Sequence, residues 1–143
     1  MLTIKDLGAK LAETTVNIRG REIPVRPLSA VRSTLLLSLN PAPPETAPDY
    51  PRLRTLWVTN VELHEAAVLI DLAVLAPEIS LEPTTFPWDA QPDVQRRWLE
   101  LARRQLGELL SRREVQAIVL AADRAGAGAG AGAAGQLEEA RKN

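Results

Sequence analysis

The sequence predicts a mainly α protein in which a small N-terminal β-hairpin precedes about four helices and a flexible Gly/Ala C-terminal tail. Three observations carry this expectation. Apolar and polar residues alternate with period two in "TTVNIRGREIPVRP" (14–27), the mark of half-buried strands. From Leu28 the period lengthens to that of a helix, and residues 126–135 read "GAGAGAGAAG". With 143 residues the chain has the length of one domain, expected over 1–125, with 126–143 as linker and short charged tail.

In chain order, residues 3–12 fit a short helix with Thr3 as N-cap and Asp6 three positions on, interrupted by Gly8. A hairpin follows over about 14–26. With Gly20-Arg21 as the central pair of a type II′ turn, Ile18 faces Ile23 and Val16 faces Val25, all on one face. Pro24 and Pro27 limit the ribbon to an edge-like role. "LSAVRSTLLLSL" places Ser29 as N-cap and Val31, Leu35, Leu36 and Leu39 on the apolar side of a helix ending near Asn40. Five prolines within 40–51 then make a stiff connector.

A longer helix is expected over about 52–76, amphipathic at first and apolar nearly all round from Ala66, where only Asp71 is polar. Such a segment is buried in a core or an oligomer, and its apolar runs are too short to span a bilayer. After the proline-punctuated stretch "PEISLEPTTFPWDAQP", a helix opens at Pro92, a residue suited to the first helical turn. Ser111 and Glu114 form a capping box that starts the last helix, expected to stop where the glycines begin.

Little in the composition supports catalysis. Cysteine is absent, which removes disulfides, thiolate nucleophiles and cysteine zinc sites. "HEAAV" (64–68) begins like a zinc-protease helix, but Val68 stands where the second histidine belongs, so His64 has no partner ligand. The carboxylates lie on polar faces, and the Gly/Ala tail lacks the Lys-Ser/Thr of a phosphate-binding loop. We therefore expect no enzyme, no cofactor and no metal. The 17 basic and 18 acidic residues give no overall field toward nucleic acid or an anionic membrane. No apolar signal-like run opens the chain, so the expected location is cytoplasmic.

Two surfaces stand out as candidates for partners. Arg96, Arg97, Arg103 and Arg104 fall within an arc of about 120° opposite Trp98, Leu99, Ala102, Leu106 and Leu109. Glu100 sits in that stripe, four residues from Arg96 and from Arg104, a spacing that suits intrahelical ion pairs. A solvated face, an acidic protein partner and nucleic acid are all open readings of it. Trp57, Val61, Val68, Leu69 and Leu72 form the second candidate, a client or self-association surface on the apolar helix. Trp57 and Trp98 suit either a core or an interface.

The opening "LTIKDL", the hairpin and exit "VNIRGREIPVRPLSA", the proline-broken middle and the closing "LLSRREVQAIVLAADRA" together resemble the tail assembly chaperones of long-tailed bacteriophages. The resemblance runs over about residues 2–125. It implies a non-enzymatic morphogenesis factor in the host cytoplasm, absent from the mature virion. Such a factor binds the tape measure protein and helps bring tail tube subunits to it, the latter mainly through a longer frameshifted product. A homo-oligomer is a candidate state. Two other classes remain open: a small DNA-binding phage regulator using the arginine face, and a virion connector.

The Gly/Ala segment behaves as a tether, and "QLEEARKN" is too short for a stable helix in water. The family implies a further domain encoded in an overlapping frame. Arg141-Lys142-Asn143 fits the slippery heptamer A-AAA-AAC, so the gene is expected to carry such a site with an overlapping −1 frame. Its nucleotide sequence decides this, and non-slippery codons without an overlapping frame would refute it.

Overall fold

The computed structural model describes residues 14–126, so the expected helix over 3–12 and the tail from residue 127 lie outside the described residues. The described chain is a β-hairpin followed by four helices. Strand β1 (Thr14–Ile18) pairs antiparallel with β2 (Arg21–Val25). The helices are α1 (Ala30–Leu39), α2 (Tyr50–Leu69), α3 (Pro92–Leu109) and α4 (112–126), with a 3-10 turn at Leu72–Leu75.

The hairpin lies where the alternation places it, but its turn differs from the expected one. Arg19 and Gly20 are the central residues, with φ of 53° and 81°. Two successive positive φ values define a type I′ turn, whose twist matches that of the strands. Val16 therefore faces Ile23, and Ile18 faces Arg21. This register differs from the expected one by two residues, and because side chains alternate with period two the same face stays inward. Ile18, Ile23 and Val25 are buried and Val16 packs against them. The Asn17 side chain accepts from Gly20 N at 3.0 Å, and Arg19 is held by contacts that sequence alone does not show.

Ser29 caps α1 as expected, its hydroxyl accepting from Arg32 N at 3.2 Å. Leu36 and Leu39 are buried and Leu35 half-buried, whereas Val31 points to solvent. Helix α1 ends at Asn40.

The expected single helix over 52–76 is instead two elements. Helix α2 stops at Leu69, and Ile70 adopts an extended conformation. Ile70 forms an antiparallel bridge with Val25, while Arg26 N donates to Leu69 O at 3.0 Å. The backbone of β2 thus takes the hydrogen bonds that a longer helix would have used internally. Asp71, the one polar residue of the run, accepts from Ala73 N at 3.1 Å and opens the 3-10 turn. Leu72 and Leu75 reach the core from there.

The stretch between this turn and α3 also packs. Ile79, Leu81 and Phe86 are buried. Gln95 donates to Pro87 O and Trp88 O at 3.1 and 3.0 Å, and the Trp98 indole donates to Pro83 O at 2.7 Å. On α3, Trp98, Leu99, Ala102 and Leu106 are buried and Leu109 is half-buried, so the expected apolar side holds.

The capping box forms reciprocally: Ser111 N donates to Glu114 at 2.9 Å, and Glu114 N donates to Ser111 Oγ at 3.2 Å. Arg19 joins it from the hairpin turn, reaching Glu114 through Nε at 2.9 Å and Nη2 at 2.6 Å, and Leu109 O at 2.8 Å. The Arg19 contact, followed by the bond from Ser111 N, holds the Glu114 carboxyl down at about 2. Because that value lies below the ordinary 4.5, the stabilisation is complete above pH 4.5 and is lost as pH falls toward 2. Glu114→Gln keeps the capping acceptor and removes only the charge, so it should lower stability at pH 7 by no more than about 1 kcal/mol. In urea unfolding, the gap to wild type should close as pH falls from about 4.5 to 2.

Candidate functional site

Two features stand on opposite sides of α2. At 100° per residue, Asn60 and His64 lie within about 40° of each other, while Glu62, Glu65 and Leu69 span about 60° on the far side. The far side faces α4 across an open groove of about 430 Å³. Leu28, Leu69, Val119 and Leu120 supply its apolar lining, and Glu62, Glu65 and Asp123 supply carboxylates. Leu120 is 47% exposed, a large apolar side chain on the groove. Burial pushes the Glu65 carboxyl above its ordinary value, helped by repulsion from Glu62 and Asp123. A cation placed there would relieve that repulsion.

The near side of α2 closes, with α1 and α3, over a cavity of about 190 Å³. Asn40, Asn60, His64, Arg96, Arg103 and Arg104 line it, together with Glu100. His64 is only 6% exposed. Asn60 donates to Asn40 Oδ1 at 3.3 Å, but five buried atoms on four of the residues that line this space have no hydrogen-bond partner. They are Asn40 Nδ2, Asn60 Oδ1, both ring nitrogens of His64, and Arg103 Nε. Buried polar groups are ordinarily satisfied, so their gathering at one cavity needs a physical reason. A smaller space of about 60 Å³ between α1 and α2 also touches His64, Asn40 and Glu65.

The structure distributes the sequence-predicted residues unevenly. Val68, Leu69 and Leu72 belong to the core of this one chain, at 9% exposure or less; only Leu69 also floors the groove. Val61 is half-buried beside the small space. Trp57 is half-buried, and its indole N–H donates to Asn40 O at 2.9 Å. Trp98 is core. Arg96, Arg97 and Arg104 are exposed and Arg103 is half-buried; Arg96, Arg103 and Arg104 also border the cavity, with Arg96 Nε donating to Leu39 O at 3.5 Å. The expected pairing with Glu100 does not form; Arg96 lies 3.9 Å from Asp93 instead.

Sequence reasoning missed Asn40, Asn60 and His64 as a group. A signal was present: Trp57, Val61, His64 and Val68 recur at helical spacing, which puts His64 on an inward-facing stripe. Among the described residues, no cluster of three or more His, Asp or Glu side chains is arranged to hold a metal. No helix among the described residues is long and apolar enough to cross a membrane. Comparison with known proteins finds no matching family model, no similar curated protein and no similar solved structure.

Burial, and secondarily the charge of Arg103, lowers the His64 pKa to about 4. The unfolded imidazole takes up a proton near 6.5, whereas the folded one does not until about 4, so folding loses stability as pH falls through that interval. Arg96, Arg103 and Arg104 face His64 across the cavity and oppose its protonation. Glu100 and Glu65 favour protonation. Between pH 7 and pH 5 the loss should be about 1–2 kcal/mol. The melting temperature of His64→Leu should vary less over the same range, as differential scanning calorimetry would show.

Proposed function

We propose that this protein is a non-enzymatic tail assembly chaperone of a long-tailed phage. It binds apolar helical stretches of the tape measure protein and helps bring tail tube subunits to it, the latter mainly through a longer frameshifted product. It acts in the host cytoplasm and is absent from the finished virion.

The observation that carries the reading is the groove between α2 and α4, with its apolar lining and its carboxylates Glu62, Glu65 and Asp123. It suits the receptor half of a helix-in-groove contact, in which an amphipathic helix lays its apolar stripe on Leu28, Val119 and Leu120. Carboxylates beside the groove favour a client helix whose apolar stripe is flanked by Lys or Arg. Exposed apolar side chains on a small protein fit a role in covering a client. The order of segments quoted from the sequence supports the same family. The arginine face gives less support to a DNA-binding regulator, since Glu100 lies within it and the chain has no net positive field.

Co-expression with the tape measure protein tests the proposal. Leu120→Ser and Glu62→Lys both alter the groove without removing a core side chain, so circular dichroism should remain that of wild type. Each should shift the tape measure protein from the soluble to the insoluble fraction. Equal solubility with wild type and both variants would refute the groove as the client site.

A further inference from the structure

The cavity between α1, α2 and α3 plays no part in the proposed client contact. We propose that it is a binding site for a single phosphate group, free or as a small monoester. Its chemistry is that of a receptor with donors in excess. Arg96, Arg103 and Arg104 border it against the single carboxylate of Glu100, leaving two positive charges uncompensated at its wall. Arg103 and Arg104 form no ion pair among the described residues, and Arg96 has only the 3.9 Å approach to the exposed Asp93.

The unpartnered atoms narrow the ligand further. Asn40 Nδ2, Arg103 Nε and one His64 nitrogen are donors, whereas Asn60 Oδ1 and the other nitrogen of a neutral His64 are acceptors. A carboxylate accepts only, so it would leave Asn60 Oδ1 and the imidazole acceptor unmet. Phosphate near neutral pH carries one to two charges, several acceptor oxygens and at least one hydroxyl when free, and so can meet the donors and at least one of the acceptors. A phosphomonoester at pH 7.5 is mainly dianionic, with a second pKa of about 6, and so meets the donors through its oxygens alone. Guanidinium groups are well matched to phosphate oxygens. Two of the carbonyls at the C-terminus of α1, which would repel an anion, are engaged: Leu39 O by Arg96 and Asn40 O by the Trp57 indole.

Size agrees. The volume of about 190 Å³ is roughly an order of magnitude above the ~15 Å³ that one water needs. Water is the rival occupant.

The test is a titration of the full chain, followed by NMR of the asparagine side-chain amides and the arginine Nε–H groups. Inorganic phosphate is added at pH 7.5 with ionic strength held constant by sodium chloride. Saturable shifts at Asn40, Asn60 and Arg103 are expected. Arg103→Gln should weaken binding at least tenfold. Arg104→Gln, which changes an exposed side chain and keeps the fold, should do the same, and Arg97→Gln should not. Parallel titrations with glycerol 3-phosphate identify the source: tighter binding than phosphate assigns a monoester, weaker binding assigns the free ion. Shifts that fail to saturate, equal shifts with acetate, or an unaltered titration in Arg104→Gln would each overturn the proposal and leave water as the occupant.

Discussion

The antiparallel bridge between Val25 and Ile70 sets the position of nearly everything else in the molecule. Val25 is fully buried, so the end of β2 lies inside the protein and its outer backbone groups need partners there. They find them in the chain leaving α2, where Leu69 O accepts from Arg26 N and Pro24 O from Asp71 N at 3.4 Å. Helix α2 cannot continue through this point, because Ile70 is committed to an extended conformation. The turn that follows sends Leu72 and Leu75 into the core. It also fixes the last helical residues, Ala66 to Leu69, against the hairpin, and so the rotation of α2 about its own axis. That rotation puts Glu62 and Glu65 on one side and Asn60 and His64 on the other.

Two arginines at the hairpin's tip fix the remaining elements around this centre. Arg19 takes the last turn of α3 and the capping box of α4 together, through Leu109 O and Glu114. Arg21 reaches Val74 O at 2.6 Å and Glu78 at 2.7 Å, on the segment after α2. Neither side chain is buried, so each pair adds little stability on its own. Their contribution is geometric, since a guanidinium fork bonded to both a carbonyl and a carboxylate permits few orientations. Arg19 holds a positive φ that costs an ordinary residue about 1–2 kcal/mol, and the three bonds it makes offset that cost. The turn type, the C-terminus of α3 and the start of α4 are thus one interdependent unit.

How much of this was legible depended on whether the cause was local. The Ser29 cap, the Pro92 start and the Ser111-Glu114 box were readable because each is satisfied within four residues of itself. The inward face of the hairpin was readable too, as alternation survives a two-residue error in register. The register itself was not, because Gly20 fits either central position and the contact that favours Arg19 at positive φ comes from Glu114, ninety-five residues away. The end of α2 was hidden for the same reason. "AAVLIDLAVLA" has helical composition, and only the burial of β2 turns Ile70 aside. The groove and the cavity are both assembled from residues of separate elements, so no single stretch announced them. Helical spacing placed the arginines on one face of α3, where Arg96, Arg97 and Arg104 are exposed, but it could not show that Arg96, Arg103 and Arg104 also border a cavity shared with α1 and α2.

That last point changes what the overall charge means. Seventeen basic and eighteen acidic residues suggest a molecule without a field of its own. Yet α2 separates carboxylates Glu62, Glu65 and Asp123 in the groove from Arg96, Arg103 and Arg104 at the cavity. The neighbours Glu65 and His64 show the division within one peptide unit. The Glu65 carboxyl is pushed up by burial and by other carboxylates, while the His64 imidazole is pushed down by burial and by Arg103. Both shifts reduce the charge each side chain carries near its own transition, which is how a structure relieves crowding of like charge when no counter-ion is at hand. Each side therefore gains from an occupant of opposite sign, a basic-flanked helix in one case and an oxyanion in the other. Because the two sites share α2 as their common wall, and Glu65 also touches the small space beside His64, filling one alters the field at the other.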